Sequence, residues 1–141
     1  SDFTSGTFRP VIGDDKVQNA TRLIFCSGKI YHDLVAEREK LGENSTAIVR
    51  VELLYPLPID AMREEAAKHP NANLLWVQDE PANQGPWPHI ALRTSEALGG
   101  RAIDDRVFRR VSRRSTASPA TGSHHLHEEE LKALLQEAFT R

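Results

Sequence analysis

Apolar residues recur along this chain in two alternating rhythms. Arg22–Cys26 (RLIFC) is a short apolar run closed by Ser27-Gly28, the pattern of a buried strand entering a turn. Lys29–Gly42 then sets Ile30, Leu34 and Leu41 on one helical face, with Gly42 as a stop. Ala47–Leu54 (AIVRVELL) predicts a second strand. Pro56 and Pro58 break it, and Pro58 suits the start of the next helix. Ile59, Met62 and Ala66 keep helical spacing up to Pro70. Asn73–Gln78 (NLLWVQ) predicts the third strand, His89–Leu98 a third helix ended by Gly99-Gly100, and Arg106–Ser112 a fourth strand. The last helix is expected over His127–Thr140. Leu131, Leu134, Leu135, Ala138 and Phe139 form its apolar face, and Glu128, Glu129 and Glu130 suit its positive N-terminal end.

Strands alternating with helices predict an α/β domain, a three-layer α/β/α arrangement around a mostly parallel sheet. In such sheets ligands sit beyond the carboxyl ends of the strands. Here those ends are Ser27–Lys29, Tyr55–Pro58, Asp79–Gln84 and Arg113–Ser118. Ser1–Asp15 has no helical period and little to bury. Residues 1–20 therefore read as a linker arm from a preceding domain, and residues 21–141 as the domain itself. The start without Met on such a stretch makes the chain an expected piece of something longer.

Composition narrows the function classes. At 141 residues the chain is long enough for one core, and 39% hydrophobic with 27% charged residues is ordinary for a globular protein. A net charge of -2 argues against nucleic acid or a membrane as an obligate partner. No apolar run approaches the ~20 residues of a membrane span, and no secretory signal is visible. Cys26 is the single cysteine, which rules out an intrachain disulfide and fits a reducing, cytoplasmic compartment.

Two irregular segments stand out. Trp76–Trp87 (WVQDEPANQGPW) and Arg113–His124 (RRSTASPATGSH) each follow a strand and carry Pro and Gly where the backbone must turn. Ser27-Gly28-Lys29 joins a strand to a helix, where N–H groups and a lysine can meet an anion. It matches neither the Walker spacing nor the GxGxxG fingerprint, and a plain turn with a solvated lysine is the alternative. Arg101, Arg106, Arg109, Arg110, Arg113 and Arg114 form a local basic excess. Their forks suit phosphate or carboxylate, or else ion pairs with acidic residues. Adjacent Asp79 and Glu80 point to opposite faces of a strand, which favours loop hydrogen bonding over acid–base chemistry. His124, His125 and His127 lack a metal-binding spacing, and no GxSxG elbow surrounds the serines. Cys26 reads as a buried structural thiol. Gly13-Asp14-Asp15 with Asn44 departs from the GDG…N magnesium-diphosphate motif at its third position, and it precedes the first strand.

Four blocks carry a resemblance: Cys26–Leu34 (CSGKIYHDL), Arg50–Pro58 (RVELLYPLP), Trp76–Trp87 and Ser118–His124 (SPATGSH). In this order and spacing they resemble the C-terminal domain of the E1 component of 2-oxoglutarate dehydrogenase. Ala82 and Pro86-Trp87-Pro88 look like the actinobacterial branch, whose enzyme is a multifunctional 2-oxoglutarate decarboxylase. The resemblance implies a transketolase C-terminal-like fold. It also implies a full enzyme using thiamine diphosphate and Mg²⁺, both bound by other domains, so no catalytic, cofactor or metal residue is assigned here. The implied partners are the rest of the E1 polypeptide, a second copy in a homodimer, and the lipoyl-bearing acyltransferase. An allosteric acetyl-CoA site is implied at this end of the protein, with Ser27, Lys29, Arg109, Arg110, Arg113 and Arg114 as candidate phosphate-binding groups. The alternative is a stand-alone nucleotide- or CoA-binding module, or an interaction domain, without catalysis.

Overall fold

The computed structural model describes residues 9–97, 106, 108–113 and 124–140. The elements are β1 (Val11–Ile12), β2 (Arg22–Cys26), α1 (Ile30–Leu41), β3 (Thr46–Val51), α2 (Ile59–Ala67), β4 (Asn73–Pro81), α3 (Trp87–Ala97), β5 (Arg109–Arg113) and α4 (His124–Ala138). The strands form one sheet in the order β1-β3-β2-β4-β5. β2, β3, β4 and β5 pair in parallel, and only β1 runs antiparallel, against β3. The expected three-layer architecture is therefore present.

Strand alternation explains the two cores. Ile24 and Cys26 point to one face, where Ile30 and Leu34 of α1 and Leu134 and Ala138 of α4 cover them. Leu23 and Phe25 point to the other, against Met62 and Ala66 of α2 and Ile90 of α3. β2 and β4 are buried on both faces, which is why they read as continuous apolar runs.

The structure moves several boundaries. Part of the expected linker arm joins the sheet: Val11–Ile12 add the edge strand β1, and Val17 and Ala20 enter the core. β3 stops at Val51 instead of Leu54, because Glu52 and Leu53 donate their N–H groups to Pro10 O (2.7 and 3.3 Å). β4 runs on to Pro81, and α3 begins at Trp87, two residues before the expected His89. β5 starts at Arg109, since Arg106 and Phe108 precede the ladder. α4 begins at His124. On α1, Leu41 is 55% exposed, and Arg38 takes the buried position one turn beyond Leu34.

Candidate functional site

Strand order reverses between β2 and β4: the chain leaves β2 toward β3, then returns across β2 to β4 and β5. The crevice at such a reversal lies outside the carboxyl ends of the two strands. Ser27-Gly28-Lys29 forms one wall. Gly28 holds φ +78°, a left-handed turn that glycine adopts without strain, and Lys29 is exposed at the start of α1. The other wall is Asp79–Gln84. Arg113 closes the edge, and its guanidinium is already engaged. Nε and Nη2 both approach Asp79 Oδ1 (2.8 and 2.7 Å), and Nη1 lies 3.6 Å from Glu130 Oε1. This cluster ties β4, β5 and α4 together and places two carboxylates around the arginine.

The turn after β4 is organised by one amide. Gln78 is 2% exposed. Its Oε1 accepts from Trp76 Nε1 (3.0 Å) and from the Trp87 N–H (2.7 Å). Its Nε2 donates to the carbonyls of Glu80, Pro81 and Gln84 (3.2, 2.8 and 2.8 Å). Gly85, at φ +65°, closes the turn, and a Cβ there would stand 2.8 Å from Glu80 Cδ. Trp76 is wholly buried, while Trp87 packs partly buried against the core at the head of α3. The segment is thus a fixed scaffold for the start of α3. His89 adds a second tie, with Nε2 2.9 Å from Leu54 O and its ring 4.2 Å from that of Tyr55.

Among the described residues, the predicted arginines do not converge. Arg109 and Arg113 share the α4 face of β5, but Arg109 pairs with Leu75 and Arg113 with Pro81. A strand rises about 3.3 Å per residue, so the two lie about 13 Å apart along it. Arg110, exposed, falls on the opposite face of the strand. Arg114 lies outside the described residues, as do residues 115–123 of the second irregular segment.

Arg109 instead borders a cleft of about 530 Å³ at the amino edge of the sheet, with Thr21, Arg22, Ala72, Asn73, Leu74, Leu75 and Arg106. Arg106 builds one wall. Its Nη1 donates to His69 O and Ala72 O (2.7 and 2.9 Å), and its Nη2 to Ala66 O (2.8 Å). It thereby satisfies carbonyls at the end of α2, where the helix presents its negative pole. Arg109 reaches Thr140 O at 3.3 Å and Glu137 at 3.9 Å, both at the solvent-exposed end of α4. Arginine forks beside polar backbone suit a phosphate or carboxylate. Arg106 belongs to the basic stretch read from the sequence, whereas Arg22 carries no such signal, because its proximity to Arg106 and Arg109 arises only when β2, β4 and β5 pair.

Asp14, from the rejected magnesium-like motif, is committed to the fold. It pairs with Arg38 and accepts the N–H groups of Ile48 (2.9 Å) and Lys16 (3.0 Å). Among the described residues no three His, Cys, Asp or Glu side chains gather as metal ligands, and no helix is long and apolar enough to cross a membrane. Cys26 is buried, and its desolvation pushes the thiol up to about 12.

The family model described as 2-oxoglutarate dehydrogenase C-terminal matches residues 1–139. The chain belongs to this family. The 2-oxoglutarate dehydrogenase E1 component of Cupriavidus necator is 41% identical over 145 residues, which cover 100% of this chain and 15% of that protein. The E1/E2 component of Corynebacterium glutamicum is 43% identical over 143 residues, 98% of this chain and 11% of that protein. A multifunctional 2-oxoglutarate metabolism enzyme of a Mycobacterium species is 40% identical over 146 residues. The 2-oxoglutarate dehydrogenase C-terminal region thus spans between 11% and 15% of these relatives. Its fold is similar to part of a split-gene transketolase described as an inactive beta4 tetramer. The TM-score is 0.61 at 16% identity, covering 93% of this chain and 43% of the other.

Proposed function

We propose that this chain is the C-terminal assembly and regulatory domain of a cytoplasmic 2-oxoglutarate dehydrogenase E1 or 2-oxoglutarate decarboxylase. The observation that carries this reading is the family match over residues 1–139. Thiamine diphosphate with Mg²⁺ supplies the electron sink for decarboxylation in such an enzyme. The residues of this chain do not fit that role: Asp14 is held by Arg38, and no metal-ligand cluster forms among the described side chains. In this reading the cofactor is bound by the remainder of the polypeptide, which this domain supports within a homodimer that serves a lipoyl-bearing acyltransferase.

The regulatory part of the proposal is an anion site for acetyl-CoA. Of the predicted groups, Arg109 borders the amino-edge cleft together with Arg22 and Arg106, and this grouping favours the cleft. Ser27 and Lys29 lie at the opposite edge, and Arg113 is engaged by Asp79 and Glu130. The experiment is 2-oxoglutarate decarboxylation by the polypeptide that carries this chain, with acetyl-CoA titrated in. Arg22→Ala and Arg109→Ala are expected to weaken activation about tenfold each, the loss of one charge-assisted contact, and to spare basal turnover. Lys29→Ala is expected to change nothing. The converse pattern would move the site to the carboxyl edge, and no thiamine-dependent decarboxylation would sink the enzyme reading.

A further inference from the structure

One buried titratable group bonds to two residues lining the cleft, Arg106 and Ala72. His69 stands just past α2 and is 3% exposed. Its Nδ1 accepts the backbone N–H of Ala20 at 3.0 Å. A backbone N–H can only donate, so Nδ1 must carry no proton and the neutral ring holds its hydrogen on Nε2. The carbonyl of His69 takes the Arg106 fork, and it also accepts the N–H of Ala72 (3.1 Å). Ala20 leads directly into Thr21 and Arg22, and Thr21 O receives the N–H of Asn73 (3.0 Å). His69 thus bonds the Ala20–Arg22 strand entry by its ring, beside the Ser45 carbonyl that accepts from Thr21 and Arg22 (2.9 and 3.3 Å), and the Arg106–Ala72 side by its backbone.

We propose that His69 is a positioning residue that makes anion binding at the amino-edge cleft depend on proton binding. This rests on the reading of that cleft as an anion site. A proton taken from solvent onto Nδ1 turns the acceptor into a donor facing the Ala20 N–H. The hydrogen bond is lost, and Thr21 and Arg22 leave their place beside Arg106. The groups facing the ring are Glu65 on α2, Lys68 just past its end, Asp14 from the segment after β1, and Arg106. Burial first, then Lys68 and Arg106, hold the imidazole below its ordinary value of 6.5, against Glu65 and Asp14. The sign follows: the neutral, ordered state is fully favoured above pH 6.5 and is lost as pH falls through the lower folded value. The added positive charge would by itself strengthen anion binding, so the direction of the effect separates the two causes.

The test is a sulfate titration of the full chain at pH 8 and at the lower pH where the His69 ring resonances report protonation, followed through the amide resonances of Thr21, Arg22 and Asn73. Sulfate keeps its charge across this range. Binding is expected to weaken about fivefold once the ring is protonated, the loss of one hydrogen bond. His69→Asn puts a non-titrating oxygen near the Nδ1 position. It is expected to bind as the parent does at pH 8 and to lose the pH dependence, while His69→Ala binds weakly at both values. Parent affinity that stays flat or rises as the His69 ring protonates, or a slope retained in His69→Asn, overturns the proposal and leaves the cleft reading intact. Absence of sulfate binding at both pH values overturns the cleft reading, and this proposal with it. Should the variants not fold, hydrogen exchange of the Ala20 amide in the parent decides. Its protection must fall with the same midpoint as sulfate affinity, and constant protection overturns the coupling.

Discussion

Arg38 on α1 and Asp14 in the segment after β1 form an ion pair in which each side chain is only 7% exposed. The same arginine Nη1 donates to Thr46 O (3.0 Å), and the same carboxylate accepts from Ile48 and Lys16. The pair therefore fastens the chain entering the domain to both α1 and β3. Burial alone would raise the Asp14 carboxyl, but the Arg38 hydrogen bond and the Ile48 and Lys16 N–H groups outweigh it and hold it below the ordinary 3.8. Removing one partner strands a buried charge, so Arg38→Met is expected to cost about 3–5 kcal/mol at neutral pH by urea denaturation. The parent keeps this contribution above pH 3.8 and loses it as pH falls through the lower folded value. In the variant, the Ile48 and Lys16 N–H groups remain but the Arg38 contribution is gone, so burial weighs more heavily, Asp14 rises relative to the parent, and protonation relieves it. The gap between the two should therefore narrow below about pH 4, where carboxylates take up protons. A gap constant from pH 7 to pH 3 would contradict the assignment.

Gln78 predicts a spectroscopic signature as well as a stability change. Both tryptophans of the chain depend on its Oε1, Trp76 through the indole N–H and Trp87 through the backbone N–H. Gln78→Leu is near in volume but leaves the donors and loop carbonyls unpaired, at a cost of about 3 kcal/mol in total. Thermal unfolding should show the loss, and near-ultraviolet circular dichroism of the folded variant should change in its tryptophan bands. Unaltered tryptophan signals would show that the turn after β4 holds its shape without the amide.

Arg106 should behave as a helix cap before it behaves as a ligand group. Arg106→Met keeps much of the aliphatic stem but removes the donors to Ala66, His69 and Ala72. A loss of about 2–3 kcal/mol is expected from unpaired charge-assisted bonds, measured by chemical denaturation. Hydrogen exchange should rise at Lys68, His69 and Ala72, whose amides bond within this turn. Stability equal to the parent would mean that water satisfies these carbonyls equally well.

Cys26 should be inert in the native protein. Its thiol is buried, lies 3.7 Å from Val49 O, and is pushed up to about 12 by desolvation. The reactive thiolate is absent at neutral pH, so iodoacetamide labelling at pH 8 should follow the rate of unfolding. Folding stability should decline as pH rises from the ordinary 9.0 toward about 12, because the unfolded chain loses that proton first. Rapid stoichiometric labelling without denaturant would refute the buried placement.

The alternation of apolar runs and helical spacings determined much on its own. β2, β4, α1 and α2 were legible because burial on both faces demands continuous apolar strands, and a one-sided helix demands a repeating apolar stripe. Gly28, Gly42 and Gly85 marked turns that the structure builds with positive φ. The family was legible for the same local reason, since its blocks are contiguous in the chain. Pairing across the chain was not. β1 is two residues long and owes its existence to β3. Arg38 entered a helix face that an apolar residue would ordinarily fill, because Asp14 waits twenty-four positions earlier to receive it. The arginine-rich stretch read as one cluster along the sequence. A strand, however, separates its members along its length and between its faces, leaving Arg109 at the amino edge and Arg113 at the carboxyl edge. Only the tertiary structure brought Arg22 to Arg106 and Arg109 and set His69 behind them. Distances between strands are determined by sheet order and register, and these depend on long-range burial that no local pattern encodes.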